Sequence, residues 1–493
     1  MVITRELLID GKEKGAQSGR TTPVINPATG QMYATVAAAG VEDVSSAVDA
    51  AHAAFEDWAT LDPSIRRAIF VKAADLMEQR RERIVDLMGG EVGATRLWAS
   101  FNVTLAAAML RETAALVTAP RGEVLATRHD GSLSLAVREP LGVVAAFSPW
   151  NAPLILGTRA VAAALAAGNT VVLKPSEVAP MSAGLLVGDL LREAGLPDGV
   201  LNVVTNDPAD APQIAEALVA HPAVRAVNFT GSTQVGRIIG THAARHLKPA
   251  LLELGGKNAV IVLDDADVDH AVDAAAFAAF MNSGQICMSA DRILVHESLA
   301  EEFIAKFTAK VAALPFGDPA DPATVIGPLV NTDPEQRCGL FAAQRVAALV
   351  EDAVAKGATV LVGGEVEDAS HPATVLTSVP AHADLYGAET FGPLCVVDTF
   401  TTDDEAVTMA NDTDLGLTAG IITENGTHGL RVARGLRTGM VHINDQSVAD
   451  DPQAPFGGVG SSGYGRFGGR WGIEAFSNTR WITLATQHAS YPF

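Results

Sequence analysis

The amino-acid sequence predicts an α/β protein built on a parallel sheet with helices on both faces, and three observations carry that prediction. Between Gly142 and Phe229, short and continuous apolar runs alternate with stretches of helical periodicity, the pattern of strands buried on both faces. These runs end in polar or glycine-bearing turns, Pro149-Trp150-Asn151, Lys174-Pro175-Ser176-Glu177 and Gly231-Ser232-Thr233, and open parallel sheets bind ligands beyond the carboxyl ends of their strands. Finally, a length of 493 residues with 48% hydrophobic and 19% charged residues is enough for two or three domains with ample core, and is no composition for a disordered chain.

Taken in order, residues 1–40 read as short strands and turns, with Asn26-Pro27 and Thr29-Gly30 as turn marks. Asp62-Pro63 is an N-cap followed by proline at the first helical position. A single helix is expected from there, carrying Ile65, Ile69, Ala73, Leu76, Ile84 and Leu87 on one side and the charged run Glu78–Arg83 on its solvated face. In residues 122–139, Asp130-Gly131 between two β-prone runs signals a hairpin, which must pack on the body or on a second subunit because a lone hairpin cannot bury both faces. The alternating region follows as strands over 142–147, 170–173, 200–204 and 224–229 and helices over 153–167, 181–194 and 212–220. A second set of strands and helices runs from Glu253 to about Phe400, with turns at Gly363-Gly364 and His371-Pro372. The tail from Asp450 is loop-rich through Gly469 and closes with a strand over 480–485.

Charge and cysteine usage exclude several function classes. Lys and Arg total 35 against 57 Asp and Glu, a net charge of -22, which argues against nucleic acid or an anionic membrane as partner. The N-terminus MVITRELLIDGKEKG has no apolar core of a signal peptide, and the most apolar stretch, 153–172, is broken by Arg159 and by Gly168-Asn169. Cys287, Cys338 and Cys395 are too few and too scattered for a disulfide framework, so a reducing compartment, the cytoplasm, is expected. Without a CxxC or HExxH pair, no metal site is expected.

The chemistry centres on residues 251–290. Glu253 stands between apolar residues and glycines, and Cys287 follows a Gly-Gln turn. A thiolate is a good covalent nucleophile and a desolvated glutamate a good general base near neutral pH. A free cysteine is often no more than a small buried hydrophobe, but Asn282-Ser283-Gly284-Gln285-Ile286-Cys287 reads as a turn that exposes a thiol. At a pKa of about 8.5 a thiol is only a few per cent ionised at pH 7, so the site has to activate it. A helix N-terminus just after the turn, or a cationic cofactor ring, would do so. Asn151, held between Pro149 and Pro153, fits an oxyanion donor worth ~3 kcal/mol in a transition state, an N-cap, or both. Lys174 and Glu177 form either a solvated turn with a local charge pair or a ribose clamp, in which the carboxylate would also repel a 2'-phosphate. Gly231-Ser-Thr-Gln-Val-Gly236 follows a strand and opens a helix whose N–H groups could meet a phosphate. The GxGxxG pattern at Gly458–Gly463 lies in a loop that continues through Gly465, Gly468 and Gly469, and is read as coincidental.

Together, FSPWN (147–151), LKPSE (173–177), FTGSTQVG (229–236), LELGGKN (252–258), FMNSGQIC (280–287), ETFGP (389–393) and PFGG (455–458) resemble the aldehyde dehydrogenase superfamily over essentially the whole chain. The resemblance implies a Rossmann-type cofactor domain (1–119 and 140–252), an α/β catalytic domain (253–450) and a small β oligomerisation arm (120–139 and 470–493). It implies Cys287 as nucleophile, Glu253 as general base, and Asn151 with the Cys287 backbone N–H as oxyanion hole. It also implies nicotinamide-cofactor contacts at Lys174, Glu177, Gly231, Ser232, Glu389 and Phe391, together with Phe147, Ser148, Trp150, Ser176, Gly236 and Leu254 of the same blocks. Glu177 favours NAD over NADP, although some relatives with this residue accept both. Because relatives that pass the acyl group to coenzyme A generally lack the glutamate at Glu253, the resemblance points to hydrolysis and a carboxylic acid product.

The tail, Gly439–Ser447 with Pro455–Gly458 and Ser462–Gly469, is similar to the branch that oxidises benzaldehyde, vanillin or salicylaldehyde. Ile155, Ile286, Met288 and Phe456 would line an apolar slot for a flat ring, with terpenoid or aliphatic aldehydes as alternatives. No cationic residue flanks Cys287, against a semialdehyde, yet Arg159 would either reach a substrate carboxylate or pair structurally. Family members are usually homodimers or homotetramers, with the hairpin and the C-terminal strand crossing between subunits. From other classes, a cysteine acyl hydrolase would need a histidine partner that nothing singles out, and a silent structural protein would not need Cys287, Glu253 and Asn151 intact.

Overall fold

The computed structural model describes residues 3–128, 131–331, 339–364 and 369–493; Asp130 of the expected hairpin turn and Cys338 lie outside the described residues. Eight strands form one sheet in the order Gly463–Tyr464, Ala250–Glu253, Val224–Thr230, Val143–Ser148, Thr170–Pro175, Leu201–Val203, Leu7–Ile9 and Lys12–Lys14. Its middle five are parallel. Every residue of Val143–Ser148 and Thr170–Pro175 is buried, which accounts for their unbroken apolar character. Alternation along the strand feeds two cores. Val144 and Ala146 face the layer formed by helices Pro63–Gln79, Arg96–Leu116 and Pro153–Ala166, whereas Val143, Ala145 and Phe147 face Val41–Thr60, Ala211–Ala220 and Thr233–Arg245.

The chain lays down the strands from 143 outward through 170 to 201, then crosses back to place 224 and 250 on the other side of 143. The strand order therefore reverses between Val143–Ser148 and Val224–Thr230. At such a switch point adjacent loops diverge and leave a crevice.

A second sheet follows in the order Thr359–Val362, Thr374–Thr377, Leu394–Phe400, Ala290–His296, Asn258–Val262, Thr418–Ile422 and Met440–Ile443, with only Thr359–Val362 antiparallel to its neighbour. A third, antiparallel sheet joins Gly122–Val124, Leu133–Pro140 and Ser477–Leu484. The terminal strand thus completes the hairpin within the same chain, with Trp481 opposite Ala136. The tail joins this arm only from Ser477, because helix Gly469–Ala475 packs on Arg96–Leu116 and Pro153–Ala166. Among the described residues no helix is long and apolar enough to cross a membrane.

Two expected helices differ in detail. The stretch after Asp62 is two helices, Pro63–Gln79 and Arg81–Val92, meeting at Arg80, whose φ of -102° and ψ of 15° leave the helical region. The Asp62 cap is present and accepts from the Ser64 N–H at 2.7 Å, but Ile65 is 50% exposed. The bend lets Ile84, Val85 and Met88 return to the core. The charged run straddles it and is partly used in pairing, since Arg111 donates to Glu78 at 2.6 Å and Arg80 to Glu193 at 2.5 Å. The second expected helix opens with a wider turn over Met181–Leu185 before Leu186–Ala194. There the buried Glu91 carboxylate accepts from the N–H groups of Met181 and Ser182 at 2.7 and 2.8 Å.

Candidate active site

The loops at the switch point enclose two cavities that meet at a cysteine. The larger, about 310 Å³, is bounded by Pro149, Trp150, Thr230, Gly231, Ser232, Glu253, Leu254, Glu389 and Phe391. The smaller, about 30 Å³, is bounded by Trp98, Phe101, Leu105, Ile155, Arg159, Ile286, Met288, Val448, Asp450 and Phe456. Asn151, Leu156 and Cys287 line both. A larger space on one side of a thiol and a smaller, mostly apolar slot on the other offer separate places for a co-reactant and a substrate.

Cys287 is held by its backbone. Asn282, Ser283 and Gly284 all have positive φ (51°, 56° and 70°), an uncommon run for residues with a Cβ, and side-chain bonds hold the turn in place. Gln285 Oε1 accepts from the Val330 N–H at 2.9 Å, and Ser283 Oγ accepts from the Gly327 N–H at 3.0 Å. Asn258 Nδ2 donates to the carbonyls of Cys287 and Ser289 at 2.8 and 2.9 Å, while its Oδ1 accepts from the Thr418 N–H. Asn151 is fixed in the same manner: its carbonyl accepts from Trp98 Nε1 at 2.9 Å and from Asn282 Nδ2 at 3.0 Å. These bonds leave the Asn151 side-chain amide on the wall shared by the two cavities. As an N-cap it does not serve, because helix Pro153–Ala166 is preceded by Ala152 with no side-chain cap.

Electrostatics set the resting state. Glu253 ends the strand Ala250–Glu253, is 1% exposed, and its Oε1 has no hydrogen-bond partner among the described residues. Burial raises its pKa to about 8, only partly offset by the Arg159 charge and the Cys287 thiol. Burial and the Glu253 carboxylate in turn push the Cys287 thiol up. The helix N-terminus expected after the turn is absent, since the chain continues into the strand Ala290–His296. The correction has a physical consequence: no helix terminus follows the turn to lower the thiol's pKa, the Arg159 charge lowers it only partly against burial and the Glu253 carboxylate, and further activation falls to positive charge brought in by a bound group.

The larger cavity has the features of a dinucleotide site. The 13-residue helix Thr233–Arg245 opens at Gly231 and Ser232, so its free N–H groups and positive end face the cavity. A Cβ on Gly236 would lie 2.3 Å from Leu254 Cδ2, so this glycine lets the helix close on Leu254 rather than contacting a ligand. Glu389 accepts from the Gly256 N–H at 3.0 Å, and burial lifts its pKa to about 7. Phe391 has a φ of 46° and stands edge-on to Trp150 at 5.5 Å; Arg345 donates to the carbonyls of Thr390 and Phe391 at 2.8 and 3.0 Å. Glu177 is bound by Lys174 and by Asn206 Nδ2 at 3.2 Å. Burial would raise its pKa, but the Lys174 ammonium together with hydrogen bonds from Lys174, a backbone N–H and Asn206 keeps the carboxyl below its ordinary value. The buried Asn206 Oδ1 beside this pair has no hydrogen-bond partner among the described residues.

Of the expected cofactor contacts, Trp150, Gly231, Ser232, Leu254, Glu389 and Phe391 line the larger cavity; Glu177 lines a small neighbouring one that shares Val330 and Asn331 with it. Phe147, Ser148, Lys174, Ser176 and Gly236 do not line it; the Lys174 ammonium is turned to Glu177 and the Pro175 carbonyl. Phe147 packs in the core against Phe229, and Ser148 Oγ donates to the Ala183 carbonyl at 2.9 Å.

All five expected pocket residues, Ile155, Arg159, Ile286, Met288 and Phe456, line the slot. Arg159, left open between two roles, is paired: it donates to Asp450 Oδ2 and stacks over Phe456 at 4.1 Å. Sequence reasoning missed Trp98, Phe101 and Leu105. They come from helix Arg96–Leu116, whose apolar pattern looks like that of any core helix. It also missed Asn258 as the clamp on Cys287, although that residue lies within LELGGKN.

Residues 14–482 match the family model described as aldehyde dehydrogenase family. Among curated proteins, the chain is 49% identical over 486 residues to a vanillin dehydrogenase of Pseudomonas fluorescens, covering 99% of each. It is 40% identical over 485 residues to a benzaldehyde dehydrogenase of Bacillus subtilis strain 168, covering 98% of each. Among solved structures, it superposes with a TM-score of 0.96 and 41% identity on a salicylaldehyde dehydrogenase from Pseudomonas putida G7 complexed with salicylaldehyde, over 100% of both chains.

Proposed function

The chain belongs to the aldehyde dehydrogenase family, and from that premise we propose that it oxidises an aromatic aldehyde to the carboxylic acid through a thioester on Cys287, with NAD as the electron acceptor. The observation that carries this reading is the meeting of a large cavity and a narrow apolar slot at Cys287 and Asn151, with the Glu253 carboxylate on the larger side.

In the slot, the aldehyde carbon is presented to Cys287 Sγ. The thiolate adds to it, and the carbonyl oxygen becomes an oxyanion that accepts from the Asn151 amide and the Cys287 N–H. The helix terminus at Gly231-Ser232, with Glu389 and Phe391 on the same wall and Glu177 in the adjoining cavity, would hold a nicotinamide cofactor, which would supply the acceptor for the hydride whose loss leaves a thioester. Glu253, with its unpartnered Oε1, takes a proton from water. The hydroxide equivalent adds to the thioester carbon, the C–S bond breaks, and the acid leaves with Cys287 restored as a thiolate. No coenzyme A acceptor is needed when a buried base activates water.

We assign residues 1–119 and 140–252 to the cofactor domain, 253–450 to the catalytic domain, and 120–139 with 477–493 to an oligomerisation arm, the expected boundary at 470 moving to Ser477 because helix Gly469–Ala475 packs on the cofactor domain. Exposed Val124, Trp481 and Leu484 on that arm support a homodimer or homotetramer, since apolar side chains grouped on one sheet favour burial against another copy. A free catalytic thiol fits a reducing cytoplasm.

Ranking kcat/KM over benzaldehyde, vanillin, salicylaldehyde, geranial and a short aliphatic aldehyde tests the substrate class. Aromatic aldehydes are expected to lead, because a slot this narrow with Trp98, Phe101 and Phe456 in its walls rewards flat rings. An aliphatic aldehyde at the head of the ranking would overturn the aromatic assignment.

NAD is expected to exceed NADP in kcat/KM by at least about 10-fold, because a buried carboxylate at Glu177 meets the extra phosphate with like charge. Glu177→Gln is expected to narrow that ratio. A higher kcat/KM with NADP would mean that the carboxylate does not face the ribose.

A further inference from the structure

We propose that Asp450 makes the enzyme selective for aromatic aldehydes bearing a hydroxyl on the side of the ring away from the aldehyde, by accepting that hydroxyl's hydrogen bond on its Oδ1. The proposal rests on the aromatic-aldehyde reading above and names the substrate class within it.

The side chain of Asp450 is 6% exposed, and so is that of its partner Arg159. Arg159 donates to Oδ2, while the buried Oδ1 has no hydrogen-bond partner among the described residues. An unsatisfied buried carboxylate oxygen is a costly feature that calls for a partner. The oxygen is not free to swing to another bond, because the guanidinium that holds the carboxylate is itself fixed over Phe456 at 4.1 Å and Phe467 at 5.8 Å.

Position makes this a substrate subsite. Asp450 lines the slot that contains Cys287, and with Arg159 and Phe456 it also lines an outer cavity of about 40 Å³ that does not include Cys287. It therefore stands where the slot adjoins the outer cavity, a boundary that Cys287 does not share. Elsewhere the walls of the slot are apolar, chiefly Trp98, Phe101, Ile155, Ile286, Met288 and Val448. A ring whose aldehyde points at Cys287 directs its meta or para substituent toward Asp450. An ortho hydroxyl instead sits beside the carbonyl and bonds to it internally. A hydroxyl donor meeting a charged acceptor in a water-poor slot forms a strong bond. A ring without the donor leaves Oδ1 unpaired, and sites built to bond a hydroxyl reject analogues that lack it.

The test compares kcat/KM for 4-hydroxybenzaldehyde, 4-methoxybenzaldehyde and benzaldehyde in the wild type, in Asp450→Asn and in Asp450→Leu. Measured at about pH 6, where the phenol keeps its proton, the hydroxyl and methoxyl groups release electrons to the aldehyde similarly, and the comparison with benzaldehyde separates the donor hydrogen from the bulk of the methyl group. In the wild type the hydroxy compound is expected to exceed the methoxy compound by about 10- to 100-fold. The ratio should fall in Asp450→Asn, which keeps an acceptor without the charge, and approach 1 in Asp450→Leu. Because each ratio is taken within one protein, loss of folded enzyme cancels, and the wild-type ratio decides the matter even if a variant does not fold. A wild-type ratio near 1, as a resident water on Oδ1 would produce, overturns the proposal, as does an unchanged ratio in Asp450→Leu. Either result with benzaldehyde still oxidised leaves the aromatic-aldehyde reading standing; oxidation of none of the three removes both.

Discussion

Cys287→Ala is expected to reduce aldehyde-dependent NADH formation by at least about 10³-fold, since removing a covalent nucleophile eliminates both halves of the reaction and leaves only binding and the oxyanion donor. The fold should survive. Cys287 is half-buried, held through its backbone by Asn258, and its sulfur borders two cavities rather than filling a packed core. NADH absorbance with benzaldehyde, measured beside a thermal melt of both proteins, separates the possibilities. Retained NADH production in a folded Cys287→Ala enzyme would remove the thioester mechanism. Cofactor-independent ester hydrolysis by the wild type with no NADH formed would favour a cysteine acyl hydrolase instead.

The second large effect concerns Glu253. Glu253→Gln keeps the shape of the side chain but cannot take a proton, so the first turnover should release NADH as a burst while steady-state turnover falls by about 10²- to 10⁴-fold. Full steady-state activity in this variant would sink the assignment of Glu253 as base. The pKa of about 8 gives the pH signature. Turnover limited by thioester hydrolysis should rise with pH as Glu253 ionises, with a midpoint near 8, and this limb should vanish in Glu253→Gln. The same shift acts on stability with a definite sign. A carboxyl whose folded pKa is raised favours folding fully below its ordinary value and loses that contribution as pH climbs through about 8. The wild type should therefore lose thermal stability relative to Glu253→Gln between about pH 5 and pH 9, as read by parallel melts. A constant difference across that range would mean that Glu253 is not held neutral by burial.

Much of the site was legible in the sequence because its parts are local. A buried strand that stops at a turn, as at Ser148, Pro175 and Thr230, places the next two or three residues at the mouth of the sheet whatever the rest of the chain does. Gly231-Ser232 opens a helix because serine caps it, with Ser232 Oγ accepting from the Val235 N–H at 3.3 Å. The left-handed turn over 282–284 was readable as a turn from its Asn-Ser-Gly composition.

Features set by partners distant in sequence were not legible. Arg159 has the same helical surroundings whether it binds a substrate or pairs with a residue 291 positions away, and only the folded chain brings Asp450 to it. Trp98 and Phe101 show an ordinary core-helix pattern, and nothing in the sequence says that one side of that core is a slot. One of the two expected activators of Cys287 is absent for a related reason: the sequence offers a helix after the turn, but pairing of Ala290–His296 with Asn258–Val262 and Leu394–Phe400 makes it a strand, which leaves the cationic cofactor ring as the other.

The sequence by itself thus determined the α/β class and singled out Cys287, Glu253 and Asn151 as candidates for nucleophile, base and oxyanion donor, together with the helix opening at Gly231-Ser232, since each depends on residues adjacent along the chain. Tertiary structure alone decided that Cys287 lies where two cavities meet, that burial outweighs any helix dipole in its ionisation, and that the slot's boundary with the outer cavity carries a carboxylate oxygen with no partner among the described residues. Burial and long-range pairing are properties of packed neighbours, and those neighbours are chosen only when the whole chain folds.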